Sequence, residues 1–254
     1  MNFKKNQQQK ISAVIITRNE QQNIERCLNS LDWVDEIVVL DSGSTDKTKT
    51  ICRQKGCRVI SAQWVSFGSN KQKAVENASY DWILSVDADE QVSPELKNRI
   101  RELLVKPTYS AYRIKRESFY LDRFIRYCWK NDYPVKFFNR QKAAFNSQQV
   151  HETVDLCGEL GVIEQPLYHY SYLSISSHLL KMDRYSQITS EVMKNEGKRV
   201  NLFSVFLRFH LMFLKMYLLK RGFMDGKWGL ILSFNSAYGV FLKYLKLWVS
   251  QNQN

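Results

Sequence analysis

The sequence of 254 residues contains no C-x-x-C pair, and its five cysteines (Cys27, Cys52, Cys57, Cys128 and Cys157) are odd in number. That pattern excludes a disulfide framework and a zinc site, and it points to a reducing cytoplasm. Residues Met1 to Lys10 lack an apolar core, so no secretory signal is expected. Acidic residues are in deficit: 25 Asp and Glu stand against 37 Lys and Arg, for a net charge of +12. Such an excess attracts something anionic, be it nucleic acid, a phosphorylated substrate or an acidic membrane surface. An RNP sequence and zinc-ligand spacing are both missing, which counts against nucleic acid. Uninterrupted apolar runs are also scarce. Leu202 to Leu219 is strongly apolar but broken by Arg208, His210 and Lys215. Trp228 to Leu242 offers about fifteen residues where a bilayer needs roughly twenty. Neither is expected to span a membrane. The rest is ordinary for a globular chain, with 44% hydrophobic and 24% charged residues, and its length suits one large domain with an appendage.

The most informative stretch is Trp82-Ile83-Leu84-Ser85-Val86-Asp87-Ala88-Asp89-Glu90. Ile83, Leu84 and Val86 give the short apolar run of an interior strand, and the strand runs directly into carboxylates. In an extended chain residues i and i+2 point to one side, so Asp87 and Asp89 can face a common point. Converging carboxylates repel unless a cation lies between them, and oxygen ligands suit a hard divalent ion, Mg²⁺ or Mn²⁺. An Asp-x-Asp alone more often just ends a strand. Two earlier segments change that balance. Ile11 to Ile16 predicts a strand ending in Thr17-Arg18-Asn19-Glu20, and Ile37 to Leu40 predicts another ending in Asp41-Ser42-Gly43-Ser44-Thr45-Asp46. Helical spacing follows each, over Asn23 to Leu31 and then through Cys52 to Gly56. Arg58 to Ile60 predicts a third strand and Asn70 to Ala78 a third helix. This rhythm is the doubly wound α/β pattern with a mostly parallel sheet, which gathers the polar strand ends along one edge.

These residues resemble the inverting glycosyltransferases of family 2, with the nucleotide-sugar fold called GT-A. The resemblance is carried by Val14-Ile15-Ile16-Thr17-Arg18-Asn19-Glu20, by Val38-Val39-Leu40-Asp41-Ser42-Gly43-Ser44-Thr45-Asp46 and by Leu84-Ser85-Val86-Asp87-Ala88-Asp89-Glu90. It implies that Thr17, Asn19, Glu20 and Asp41 line a nucleoside pocket. It also implies that Asp89 ligates a divalent ion bridging the diphosphate, with Asp87 nearby in the donor site. Lys71, within Gly68-Ser69-Asn70-Lys71, stands where such enzymes often carry a basic residue near the nucleotide. Many relatives have two carboxylates at the second strand end, whereas Ser42 follows Asp41 here. The later segments Val150-His151-Glu152 and Tyr168-His169-Tyr170-Ser171-Tyr172 are similar to the subgroup that adds β-1,4-glucose to the inner-core heptose of bacterial lipopolysaccharide. On that basis Glu152 is the expected catalytic base, with Asp155 and Asp132 in reserve, since the acceptor hydroxyl must lose a proton as it attacks.

Between Tyr109 and Arg140 basic and aromatic residues alternate. Aromatic faces suit sugar rings and arginine suits phosphate, although nucleic acid uses the same ingredients. His169 and its neighbouring tyrosines read as core filler, and His178 and His210 as structural. From Ser176 the pattern is helical. Phe241, Tyr244 and Trp248 recur at helical spacing beside Lys243 and Lys246, as in helices that lie in a membrane interface; such helices also pack on a sheet or pair in a homodimer. The expected organisation is a GT-A domain over 1–175 (nucleotide-sugar half 11–105, acceptor half 106–175) and a helical appendage over 176–254. The expected activity is transfer of a hexose, glucose from UDP-glucose, to a lipopolysaccharide core or other lipid-linked glycan, at the cytoplasmic face of the inner membrane and without nucleic acid. A nucleotidyltransferase acting on a sugar phosphate and a basic nucleic-acid-binding module are the alternatives.

Overall fold

The computed structural model describes residues 9–146, 153–172 and 174–253. The chain forms two compact units, Met1–Arg116 with Asn131–His169, and Glu117–Lys130 with Tyr170–Asn254.

The first unit opens with β1 (Ile11–Thr17), α1 (Ile24–Asn29), β2 (Glu36–Asp41), α2 (Thr48–Gln54), β3 (Arg58–Ser61), α3 (Phe67–Glu76) and β4 (Trp82–Ser85). The interior of β1 and β2 is almost wholly apolar and β-branched, and both strands are buried over most of their length, as strands covered on two faces must be. β2, β1 and β4 lie side by side and parallel, with Thr17 directly opposite Asp41. Their polar C-terminal ends therefore share one edge. β5 (Glu90–Val92) and α4 (Pro94–Val105) follow; Ser93 caps α4 by accepting from the Leu96 amide at 3.1 Å, with Pro94 in the first turn. The helix expected over Asn70 to Ala78 begins three residues earlier, because the Ser66 hydroxyl caps it by accepting from the Ser69 amide at 3.1 Å. Gly68 and Ser69 thus join Asn70 and Lys71 in the helix.

Beyond β4 the chain turns antiparallel. β6 (Ala111–Tyr120) is followed by β7 (Arg123–Phe124), β8 (Val135–Asn139), β9 (Ala143–Phe145), β10 (Val154–Leu156) and β11 (Leu160–Tyr172). The strand order of the main sheet is β3-β2-β1-β4-β8-β6-β11-β5, and β9 pairs with β10 separately. The expectation of a mostly parallel sheet holds from β3 to β4. The β4–β8, β6–β8 and β11–β5 pairs are antiparallel, so the sheet as a whole is mixed. Trp82, Tyr112 and Phe137 cluster with ring centroids 4.7–6.3 Å apart, Tyr112 stacked on Phe137. Burial of such side chains contributes about 1.5–3 kcal/mol each.

The second unit holds the ends of β6 and β11 and then α5 (Ile175–Asn195), α6 (Leu202–Leu214) and α7 (Gly226–Asn252). A π-helical turn, Lys215–Leu219, prolongs α6, and a 3-10 turn, Gly222–Asp225, leads into α7. One expectation changes here. Leu202–Leu219 forms one helical stretch that is long and apolar enough, by length and composition, to cross a membrane. The apolar segment from Trp228 to Leu242 lies within α7, a helix of 27 residues that continues past Lys243 and Lys246. Gly229 is required by packing, since a Cβ there would lie 1.7 Å from the Gly222 carbonyl oxygen. Asp225 accepts from the amides of Arg126, Tyr127 and Cys128 at 2.9–3.0 Å, tying the hairpin to the 117–130 segment.

His178 is structural, as expected: it is buried, its Nδ1 lies 3.0 Å from the Tyr120 hydroxyl and 3.2 Å from Asn235, and its ring stacks on Tyr172. Burial, with Lys181 adding, pulls its pKa down to about 4. The unfolded chain therefore binds a proton that the fold refuses. Stability should fall as pH drops from about 6.5, the ordinary histidine value, to about 4. Thermal melts across that range should show this slope, and His178→Gln should flatten it; an unchanged slope would show that other groups carry it.

Candidate active site

The three strand ends are locked together by their own polar side chains. Asn19 adopts a left-handed conformation (φ 57°), which asparagine tolerates better than most residues. Its amide donates to Ser44 Oγ at 2.9 Å, and its Oδ1 accepts from the Thr45 amide at 2.8 Å. The Glu20 amide donates to Thr48 Oγ1 at 2.8 Å, and the Glu20 carboxylate accepts from Asn23 Nδ2 at 2.9 Å. Asp41 is buried and organises its own turn, accepting from the amides of Gly43 (3.1 Å) and Ser44 (2.9 Å) and from the Ser44 hydroxyl. That turn needs Gly43, whose φ is 85°. The Thr17 hydroxyl is buried and has no hydrogen-bond partner among the described residues. Thr17, Asn19, Glu20 and Asp41 are thus brought to one edge.

Beside them lies a dense ionic cluster. Lys71, buried in α3, places Nζ 3.0 Å from Asp87 Oδ1, and Lys136, buried in β8, places Nζ 2.7 Å from Asp87 Oδ2. Lys136 also reaches Glu90 Oε2 at 2.7 Å, and Glu90 Oε1 meets Arg116 at 3.2 Å. Arg116 in turn holds Asp132 at 2.7 Å. Burial alone would raise the Asp87 carboxyl, but the ammonium groups of Lys136 and Lys71 outweigh it and hold that group well below the usual carboxylate range. Burial would lower Arg116, and Glu90 and Asp132 more than offset that, so it stays charged. Asp89 faces a histidine. Its Oδ2 lies 3.4 Å from His169 Nε2, on a strand where His169 is the register partner of Glu90. Burial pushes the Cys27 thiol well above its ordinary value, and the neighbouring Glu90, Asp89 and Asp87 push the same way.

His169 therefore corrects the reading of core filler, because it meets Asp89 at the surface of the site instead of filling the core. Within the aromatic-basic segment from Tyr109 to Arg140, Tyr120 is buried and Phe119 packs against Phe124 and Tyr170. Asp155 lies exposed on β10, and Asp132 is engaged with Arg116. Glu152, with His151, lies outside the described residues. Sequence reasoning missed Lys136, Arg116 and Glu90 as partners of the motif. Lys136 did leave a signal: a lysine between Val135 and Phe137-Phe138 in an apolar strand needs an acid to pair with.

Glu90 is fully buried and paired with Lys136 and Arg116. Removing one partner of a buried ion pair typically costs about 3–5 kcal/mol. Lys136→Met should lower unfolding stability by roughly that amount in denaturant melts, and adding Glu90→Gln should recover part of it. No loss in the single variant would mean that the cluster is hydrated and weakly coupled.

The model of Glycosyl transferase family 2 matches residues 12–158. The chain belongs to glycosyltransferase family 2. Among family 2 and related proteins, it is 32% identical over 253 residues to an uncharacterized glycosyltransferase of Rickettsia felis, covering 94% of this chain and 89% of the relative. It is 27% identical over 256 residues to the lipopolysaccharide core biosynthesis glycosyltransferase LpsC of Rhizobium meliloti, covering 94% and 92%. Among solved structures, the glucosyl-3-phosphoglycerate synthase of Mycobacterium tuberculosis, in complex with Mn²⁺, UDP and glucosyl-3-phosphoglycerate, is 26% identical over 44% of each chain with a TM-score of 0.37. Membership in family 2 makes the protein a glycosyltransferase and replaces the nucleotidyltransferase and nucleic-acid alternatives.

Proposed function

We propose that this glycosyltransferase transfers a hexose, glucose from UDP-glucose, to a lipopolysaccharide core or related lipid-linked glycan, with inversion at the anomeric carbon, at the cytoplasmic face of the inner membrane. The observation that carries the reading is the Asp89–His169 pair, set beside the lysine-held Asp87 on the edge shared by β2, β1 and β4. Among the described residues no three histidine, cysteine or carboxylate side chains converge as a complete metal cage. Two ligands fit the chemistry, since Mg²⁺ and its like are held by one or two protein groups with substrate phosphates completing the shell. Asp89 and His169 would hold the ion, which when bound supplies Lewis-acid stabilisation of the departing diphosphate.

The protein's own groups do the rest. Lys71 is poised to turn from Asp87 toward a diphosphate oxygen, so that charge developing on the leaving group meets a preorganised cation. Asp87, kept ionised by the two lysines, can accept hydrogen bonds from donor hydroxyls. Thr17, with its unpartnered hydroxyl, and Asn19, Glu20 and Asp41 border the nucleoside. Glu152 takes the proton from the acceptor hydroxyl as it attacks. Support for this role comes from the sequence, where Val150-His151-Glu152 follows the metal motif as the carboxylate base does in inverting enzymes of this fold. Similarity to LpsC supports a lipopolysaccharide core acceptor.

The test is incubation of the protein with UDP-hexoses and a truncated lipopolysaccharide core, followed by mass spectrometry and NMR of the product. Gain of one hexose in β linkage from UDP-glucose is expected. An α linkage would remove direct displacement, and transfer only from another donor would remove glucose.

A further inference from the structure

The helix formed by α6 and its π-helical extension packs one face inward, with Val205 and Met216 buried and Phe209 and Met212 half-buried. The opposite face is left bare. Phe203, Leu207, Leu211, Leu214 and Leu218 recur at helical spacing and are 45–77% exposed, and Leu219 at the tip is 80% exposed. Single exposed leucines need no explanation, but a continuous row over four turns does. Its surroundings identify what covers it. Arg208 and Lys215 border the row, and Lys220, Arg221 and Lys227 gather at the turn into α7. Asp225 is the only acidic side chain in the sequence from Leu202 onward, and its carboxylate is already bound to three backbone amides. A basic rim around an apolar row complements an anionic lipid surface. A second copy of the same face would bring these cations against each other.

We propose that the outward row of α6 lies flat in the interface of an anionic bilayer, apolar side chains in the acyl boundary and the basic rim on the phosphates. This rests on the membrane-surface part of the function proposed above and is independent of the transfer chemistry. The helix does not span. Its 18 residues reach about 27 Å, at the lower limit for a hydrocarbon core of about 30 Å. Arg208 and His210 stand at its middle, where crossing would bury them in hydrocarbon. Lying flat leaves Arg208 at the rim, where its guanidinium stacks 4.4 Å over Tyr244.

The experiment is co-sedimentation of the full chain with vesicles of phosphatidylglycerol and phosphatidylethanolamine, against phosphatidylcholine alone. Two variants accompany it, Leu211→Glu/Leu214→Glu and Lys215→Glu/Lys220→Glu, all at exposed positions, with circular dichroism as the folding check. The wild type should bind anionic vesicles selectively and come off in alkaline carbonate. Each lost surface cation is worth about five-fold in binding, so the charge variant should bind at least about 25-fold more weakly, and the leucine variant should lose binding at any salt. UDP binding should be unchanged in both. Wild-type binding that neither variant weakens would overturn this face while leaving the membrane reading intact. No binding by the wild type would overturn both, with transfer to the glycan still measurable separately. Retention through carbonate would mean a spanning helix. A dimer dissociated by the leucine variant, with vesicle binding intact, would assign the row to a second copy.

Discussion

Asp89→Asn is expected to lower the rate of transfer by about 10²–10³-fold, the scale of losing one preorganised electrostatic group at a reacting centre. Metal-dependent UDP binding should weaken with it. The fold should survive, because asparagine keeps the side chain's shape and leaves the lysine pairs of Asp87 and Glu90 in place. The substitution is informative because it offers a hard divalent ion a neutral oxygen instead of a charged one. Steady-state rates and UDP titrations over a range of Mn²⁺ concentrations provide the measurement. Unchanged turnover with unchanged Mn²⁺ dependence would remove Asp89 from the metal site. His169→Ala should weaken Mn²⁺ dependence in the same direction if the two act together.

Glu152→Gln should reduce transfer to acceptor by at least about 10²-fold, since general base catalysis typically contributes about 10²–10⁴-fold and glutamine cannot take the proton. The substitution preserves size and much of the hydrogen bonding, so affinity for the nucleotide sugar should change little, and the loss should fall on kcat. His151→Ala should be milder if His151 only orients Glu152. Near-normal turnover in Glu152→Gln, with Asp155→Asn inactive, would move the base to β10. Asp132 is a weaker reserve, because its carboxylate is held by Arg116 at 2.7 Å. Loss of donor binding in Glu152→Gln would place this residue in the sugar-nucleotide pocket instead.

The nucleotide-sugar half was legible in the sequence because its signals are local. Each of β1, β2 and β4 carries an apolar run and then a polar turn, so strand, direction and functional edge can be read from a few adjacent residues. The antiparallel half was not. β8 and β6 insert between β4 and β11 through pairings distant in sequence, and no local pattern announces that order. The same distance hid the ionic cluster. Lys136 and Arg116 reach Glu90 from strands 46 and 26 residues away, and His169 reaches Asp89 only because β11 pairs with β5. His169 looked like filler among tyrosines for that reason. The helical appendage was legible as helices, but which face of α6 was bare depended on its packing partner.

The most direct test of the site is calorimetric titration of UDP into the wild-type protein with and without Mn²⁺. Binding that is strong with Mn²⁺ and at least about ten-fold weaker without it is expected, since the diphosphate and the Asp89–His169 pair would share the ion. Equal affinity for UDP in both conditions, or none in either, would contradict the assignment of this strand-end cluster as a metal-assisted nucleotide-sugar site.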